Sequence, residues 1–182
     1  MKAISRYRGS HTQAPNFAYA LSVRKFKEAS RSGDAGAGSL DLSCVRHMIN
    51  AAEPVDVQAV ESFYATYRPF GLPRGVVVPT YGLAEHTVFV CSGGRTVLTL
   101  DKQQLELGQA QVLGSREFCA SSAPEPSLSS SGSASNESRT TYIVGCGFYE
   151  KNESVDVKIV HPETLLALSD NEVCVSSLHA EI

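Results

Sequence analysis

The tightest constraint on this chain lies in residues 45–81, which read strand, helix, strand. Val76, Val77 and Val78 form a short β-branched apolar run, the pattern of a strand buried on both faces. Residues 45–49 give the earlier strand, a short mixed one that ends at Asn50. Between them Val57, Val60, Phe63, Tyr64 and Tyr67 recur at helical intervals and make one apolar stripe. Asp56 is placed to cap that helix, and Pro69 with Gly71 to stop it. A βαβ unit of this length joins two parallel strands through a crossover, so the fold class is α/β. Pro79 is expected to end the second strand, because proline cannot donate to a ladder.

In a parallel sheet the C-terminal ends of neighbouring strands face one crevice. The turn Asn50-Ala51-Ala52-Glu53-Pro54 and the turn Thr80-Tyr81-Gly82-Leu83-Ala84-Glu85 therefore stand side by side. One offers a wall of backbone, the other an aromatic ring. A planar base fits between them, and a carboxylate beyond it can hold a hard cation such as magnesium near phosphate oxygens. The plain alternative is a strand, a turn and a solvated glutamate, and spacing alone leaves both open.

The rest of the chain is read in order. Residues 1–13 are polar and basic and read as the tail of a helix. Asn16 is placed to cap a helix from Phe17, in which Tyr19, Val23 and Phe26 recur at helical spacing. Residues 30–39 are a loop of small residues. Beyond Glu85, residues 87–91 and 96–100 are β-rich runs separated by a hairpin-like Ser92-Gly93-Gly94. Asp101 is placed to cap a short helix that ends at Gly108. Residues 120–139 are rich in serine and proline and are expected to be a flexible insert. Residues 142–147, 155–160 and 172–177 read as strands of a smaller, more antiparallel layer.

Composition narrows the class. A net charge of −3 gives no positive excess for nucleic acid or anionic membrane. No stretch approaches the roughly 18 apolar residues of a membrane span. The five cysteines are an odd number, widely spaced and without a CxxC pair, which points to reduced thiols and a cytoplasmic location.

Several segments then occur in a telling order: PNFAY at 15–19, LDLS at 40–43, NAAEPV at 50–55, YRPFG at 67–71, PTYGLAEHTVFV at 79–90 and VKIVHPET at 157–164. Together they resemble the large N-terminal subdomain of adenylate-forming enzymes, the AMP-dependent synthetase and ligase superfamily, and most closely the fatty-acyl-AMP ligases. The resemblance takes residues 1–177 as a partial AMP-binding domain, with 120–139 as an insert and 178–182 as an unassigned tail. It implies that Tyr81 stacks on adenine, with Thr80 and Gly82 beside it, and that Glu85 binds magnesium as the catalytic carboxylate. It sets Ala51, Ala52, Glu53 and Pro54 against the other face of the base. Phe17 and Tyr19 become candidate walls of an acyl tunnel, the alternative for both being plain helix packing.

The reaction implied is attack of a fatty carboxylate on the α-phosphate of ATP, giving acyl-AMP and pyrophosphate. It calls for in-line positioning and charge neutralisation and for no protein nucleophile. Residues 96–114 resemble the insertion that separates fatty-acyl-AMP ligases from acyl-CoA ligases, which implies a carrier protein as acyl acceptor. By the same resemblance the phosphate loop would lie upstream of Met1, and the ribose-binding aspartate and C-terminal lysine beyond Ile182. The expectation is thus a partial domain, inactive alone. The reading from another class is a non-catalytic acyl- or nucleotide-binding protein on the same scaffold.

Overall fold

The structure, a computed structural model, describes residues 1–33, 39–84, 89–117, 139–148 and 157–173. A short helix α1 (Lys2–Tyr7) leads into a strand β1 (His11–Pro15), and helix α2 (Asn16–Arg31) follows directly. The strand–helix–strand unit comes next as β2 (His47–Ala51), α3 (Val57–Tyr67) and β3 (Val77–Tyr81). β1 pairs with β2 and β2 with β3, both in parallel.

Two features of the parallel strands differ from the sequence reading. No strand was expected before residue 45, yet β1 is one. His-Thr-Gln-Ala-Pro has no apolar alternation, and the strand exists because β2 offers it a parallel partner over its full length. Pro79 also lies inside β3 rather than ending it. Its carbonyl accepts the Gly94 N–H at 3.2 Å. The N and C=O of one extended residue point to the same edge, so the missing donor faces away from β2 and no β2 bond is lost.

α2 and α3 pack together over one face of the sheet. Tyr19 and Phe63 meet edge to face with centroids 5.0 Å apart, and Phe63 meets Tyr67 at 4.9 Å. Each fully buried side chain of this size contributes about 1.5–3 kcal/mol of apolar burial. The phenol groups are not wasted in the core. Tyr19 Oη donates to the Ile49 carbonyl, Tyr67 Oη donates to the Ser22 carbonyl, and Tyr64 Oη accepts the Val77 N–H, each at 2.9 Å. Strand β2 follows the covered-face rule closely, with Met48 and Asn50 buried and His47, Ile49 and Ala51 half-buried.

α3 is capped as its sequence dictates, with Asp56 accepting the Gln58 N–H at 2.9 Å. It runs into a 3-10 turn over Arg68–Phe70, and Gly71 closes it at φ 82°. The start of α2 differs from expectation. The helix begins at Asn16 itself, after a Pro15 that supplies no side-chain cap. Asn16 instead bonds across to the neighbouring loop.

Beyond β3 the chain gives β4 (Cys91–Gly93), β5 (Thr96–Asp101), α4 (Lys102–Glu106), β6 (Val112–Glu117), β7 (Thr140–Val144) and β8 (Gly147–Phe148). The larger sheet has the order β1-β2-β3-β4-β8, and β6-β5-β7 form a separate antiparallel sheet. The two runs read as a hairpin thus belong to different sheets. Gly94 sits at the transfer between them, where an added Cβ would stand 1.8 Å from the Gly145 carbonyl oxygen. The antiparallel layer itself is as expected, as is the Asp101 cap on α4. Where strands were expected at 155–160 and 172–177, the described residues 157–160 and 172–173 take part in the isolated bridges Val160 to Ala167 and Gln109 to Glu172, and residues 155–156 lie outside the described residues. Residues 174–177 and the serine-rich segment up to 138 lie outside the described residues.

Candidate functional site

β1, β2 and β3 end along one rim. Pro15 is registered against Ala51, and Asn50 against Pro79. A cleft of about 520 Å³ opens at that rim. Its lining is Gln13, Ala14 and Pro15 of β1, Ile49 and Ala51 of β2, Ala52, Thr80 of β3, and Gly82, Leu83, Ala84 and Phe89. Gln13 is opposite Ile49, and Ile49 opposite Val78, so these positions share a sheet face. It is the face turned away from α2 and α3, whose side holds Met48, Asn50 and Val77.

The two turns singled out in the sequence do meet here: Ala51, Ala52, Thr80 and Gly82 all line the cleft. Other expected residues are placed differently. Tyr81 is half-buried, with its carbonyl accepting the Val90 N–H at 3.0 Å, and lies outside the lining. Glu53 and Pro54 are exposed and also outside it. The Glu53 carboxylate accepts the Phe17 N–H at 2.5 Å. Tyr19 is 2% exposed and sits in the core, where the plain packing alternative puts it. Phe17 is 60% exposed at the start of α2 and also lies outside the lining. Glu85 lies outside the described residues.

Buried polar groups brace the rim. Asn16 Oδ1 accepts from Asn50 Nδ2 at 3.1 Å and from the Asp56 N–H at 3.2 Å. Asn50 is fully buried, and its Oδ1 has no partner among the described residues. Ala52, between these anchors, holds a left-handed φ of 71°.

Among the described residues no charged side chain lines the cleft, and there is no cluster of three or more His, Cys, Asp or Glu that could hold a metal ion. The nearby thiols are not nucleophiles. Burial pushes the Cys91 thiol up, and burial together with the neighbouring Cys91 pushes Cys146 up, so both stay protonated at neutral pH. Another groove, of about 440 Å³, runs between α2 and α3 beside Arg24, Lys27 and Arg31. It is lined by residues of α2 and α3 and the α3 cap Asp56, and lies away from the strand ends where α/β sheets gather ligands.

Gln13, Ala14 and Ile49 were missed by sequence reasoning. Gln13 and Ala14 come to the rim through the pairing of the unrecognised β1 with β2, and Ile49 was read as a strand residue and not as part of the site.

No protein-family model matches the chain. It is 34% identical over 177 residues to the medium-chain-fatty-acid–[acyl-carrier-protein] ligase JamA of Moorena producens, covering 95% of this chain and 26% of that protein. The corresponding ligase TtuA of Teredinibacter turnerae is 29% identical over 170 residues, covering 93% of this chain and 23% of that protein. The fatty acid AMP ligase from Legionella pneumophila superposes with a TM-score of 0.66 at 26% identity, over 94% of this chain and 25% of that one. The chain spans about a quarter of the length of the curated relatives it matches. Over that quarter it is similar, by sequence and by α/β fold, to fatty-acid-activating AMP ligases.

Proposed function

We propose that the chain contributes part of the nucleotide and acyl site of an enzyme that activates a fatty acid as acyl-AMP with ATP. The observation that carries this reading is the cleft, where Ala51 and Ala52 of one turn meet Thr80 and Gly82 of the other at the ends of parallel strands. The Legionella relative crystallised as a complex with acyl adenylate and pyrophosphate shows the same fold at 27% identity and a TM-score of 0.67. In this reading the apolar part of the lining, Ile49, Leu83 and Phe89, takes the acyl end, and the Ala51–Ala52 backbone takes one face of the adenine. Tyr81 takes the other face, which requires its side chain to turn toward Gly82. A carrier protein is the proposed acceptor of the acyl group, since JamA and TtuA are acyl-carrier-protein ligases by name. The setting is proposed as cytoplasmic, in keeping with the unbridged cysteines among the described residues.

Magnesium fits the donors on offer. It prefers hard oxygen ligands and keeps most of its shell for water and phosphate, so it needs one or two protein carboxylates rather than a cage. Thr80 brings a hydroxyl to the rim, and Glu85 is the proposed carboxylate. When bound, the ion supplies positive charge to the phosphates. The chain's own part is to hold the base and the acyl end so that carboxylate and α-phosphate approach in line, and to keep water from the apolar wall.

The test is ATP–pyrophosphate exchange in the presence of a fatty acid, with the intact enzyme and its Glu85→Ala variant. Exchange should fall at least about 100-fold on loss of a metal-holding carboxylate. Undiminished exchange in Glu85→Ala would remove Glu85 from the mechanism.

A further inference from the structure

We propose that Glu53 is a positioning residue: it fixes the Ala51–Ala52 edge of the cleft without touching the ligand, a role that rests on the adenylate-site reading above. Helix α2 starts without a side-chain cap from Pro15, so its first N–H groups need acceptors from elsewhere. Glu53, 36 residues further along the chain, supplies one by taking the Phe17 N–H. The bond is charge-assisted, and the carboxylate stands at the positive end of a 16-residue helix.

The neighbouring residue repeats the connection. Asn16 Oδ1 takes Asn50 Nδ2 and the Asp56 N–H. The first turn of α2 therefore holds the β2–α3 loop at Asn50, before the Ala51–Ala52 pair, and at Glu53 and Asp56, after it. Pro15, registered against Ala51, lines the cleft beside Ala51 and Ala52. With Glu53 in place the Ala51–Ala52 turn is tied to the first turn of α2, and the strained Ala52 is held in its left-handed conformation. Glu53 is exposed and absent from the lining, so it needs no ligand contact to do this.

The test uses the full chain with Glu53→Ala and Glu53→Gln. Glutamine keeps the acceptor oxygen and loses the charge. Hydrogen exchange at the Phe17 amide reads the latch, and titration with a non-hydrolysable acyl-adenylate analogue reads the cleft. Circular dichroism confirms that both variants keep their helices. In Glu53→Ala, Phe17 exchange should rise and affinity fall, each about tenfold, while Glu53→Gln stays within about threefold on both. Equal loss of affinity in both variants, with Phe17 still protected in Glu53→Gln, would mean that the carboxylate meets the ligand and would overturn the proposal. Unchanged affinity in Glu53→Ala beside fast exchange would overturn it as well. If the unaltered chain takes up no analogue while Phe17 stays protected, the adenylate-site reading itself fails, and the positioning role falls with it.

Discussion

Ala52 holds a φ of 71° at the edge of the cleft. The left-handed region costs an L-residue about 1–2 kcal/mol because Cβ crowds the carbonyl. Glycine removes that cost but adds about 0.5–1 kcal/mol of unfolded-chain entropy. Ala52→Gly should therefore stabilise the fold by about 0.5 kcal/mol, and Ala52→Val should destabilise it by at least about 1 kcal/mol through β-branching. Chemical denaturation of the two variants decides it. A less stable glycine variant beside an unaffected valine variant would show that the loop does not hold this conformation in solution. Strain of this kind is invisible in the sequence, where Ala51 and Ala52 are two identical letters. It arises because Asn50 and Asp56 anchor the loop ends on Asn16 and leave the residues between them little choice of path.

Elements divide by where their determinants lie. Helix α3 was legible because its stripe, its Asp56 cap and its Gly71 stop are all local. β1 and β4 were not, because strands of five and three residues owe their existence to partners far along the chain. The α2 cap was misread for the same reason, since Glu53 supplies it from another loop. The seating of α1 is also long-range. Arg8 pairs with Asp41, and Ser5 Oγ accepts the Asp41 N–H at 2.9 Å. The Ser43 hydroxyl, the Ser43 N–H and then Arg8 hold the Asp41 carboxyl at about 2, well below the usual aspartate range. A depressed folded value means that the unfolded chain binds more protons between pH 4 and 2. This contribution is therefore complete above the usual aspartate value near 3.9 and is lost as pH falls through about 2. Asp41→Asn should flatten the acid limb of the stability–pH curve in that window, measured by denaturation midpoints from pH 5 downward. Parallel curves for the two proteins would show that Asp41 does not carry the effect.

At the scale of the whole molecule, the described residues cover one face of the parallel strands with helices and leave the other face open. Parallel sheets are ordinarily covered on both sides. Here α2 and α3 cover Met48 and Val77, while Ile49, Ala51 and Val78 stay half-buried on the other side beside the exposed Gln13. The smaller sheet adds Val112, Leu113, Tyr142 and Ile143 at 42–58% exposure. The sequence could not reveal this imbalance, because Val76 to Val78 read as buried on both faces and only the layer arrangement tells which face has a cover. Apolar surface of this extent drives association. In sedimentation velocity the weight-average mass of the chain should rise between about 5 and 100 µM. Ile49→Glu should reduce the rise by placing a charge on the open face while leaving the helical signal intact, since Ile49 points away from α2 and α3. A strictly monomeric chain across that range would mean that the open face is quieter than its composition suggests. Association undiminished in Ile49→Glu would move the sticky surface to the smaller sheet, where Ile143→Glu is the corresponding variant. The cleft lies on the same open face as Ile49, so association through that face should also compete with the acyl-adenylate analogue, and saturating analogue should shift the chain back toward monomer.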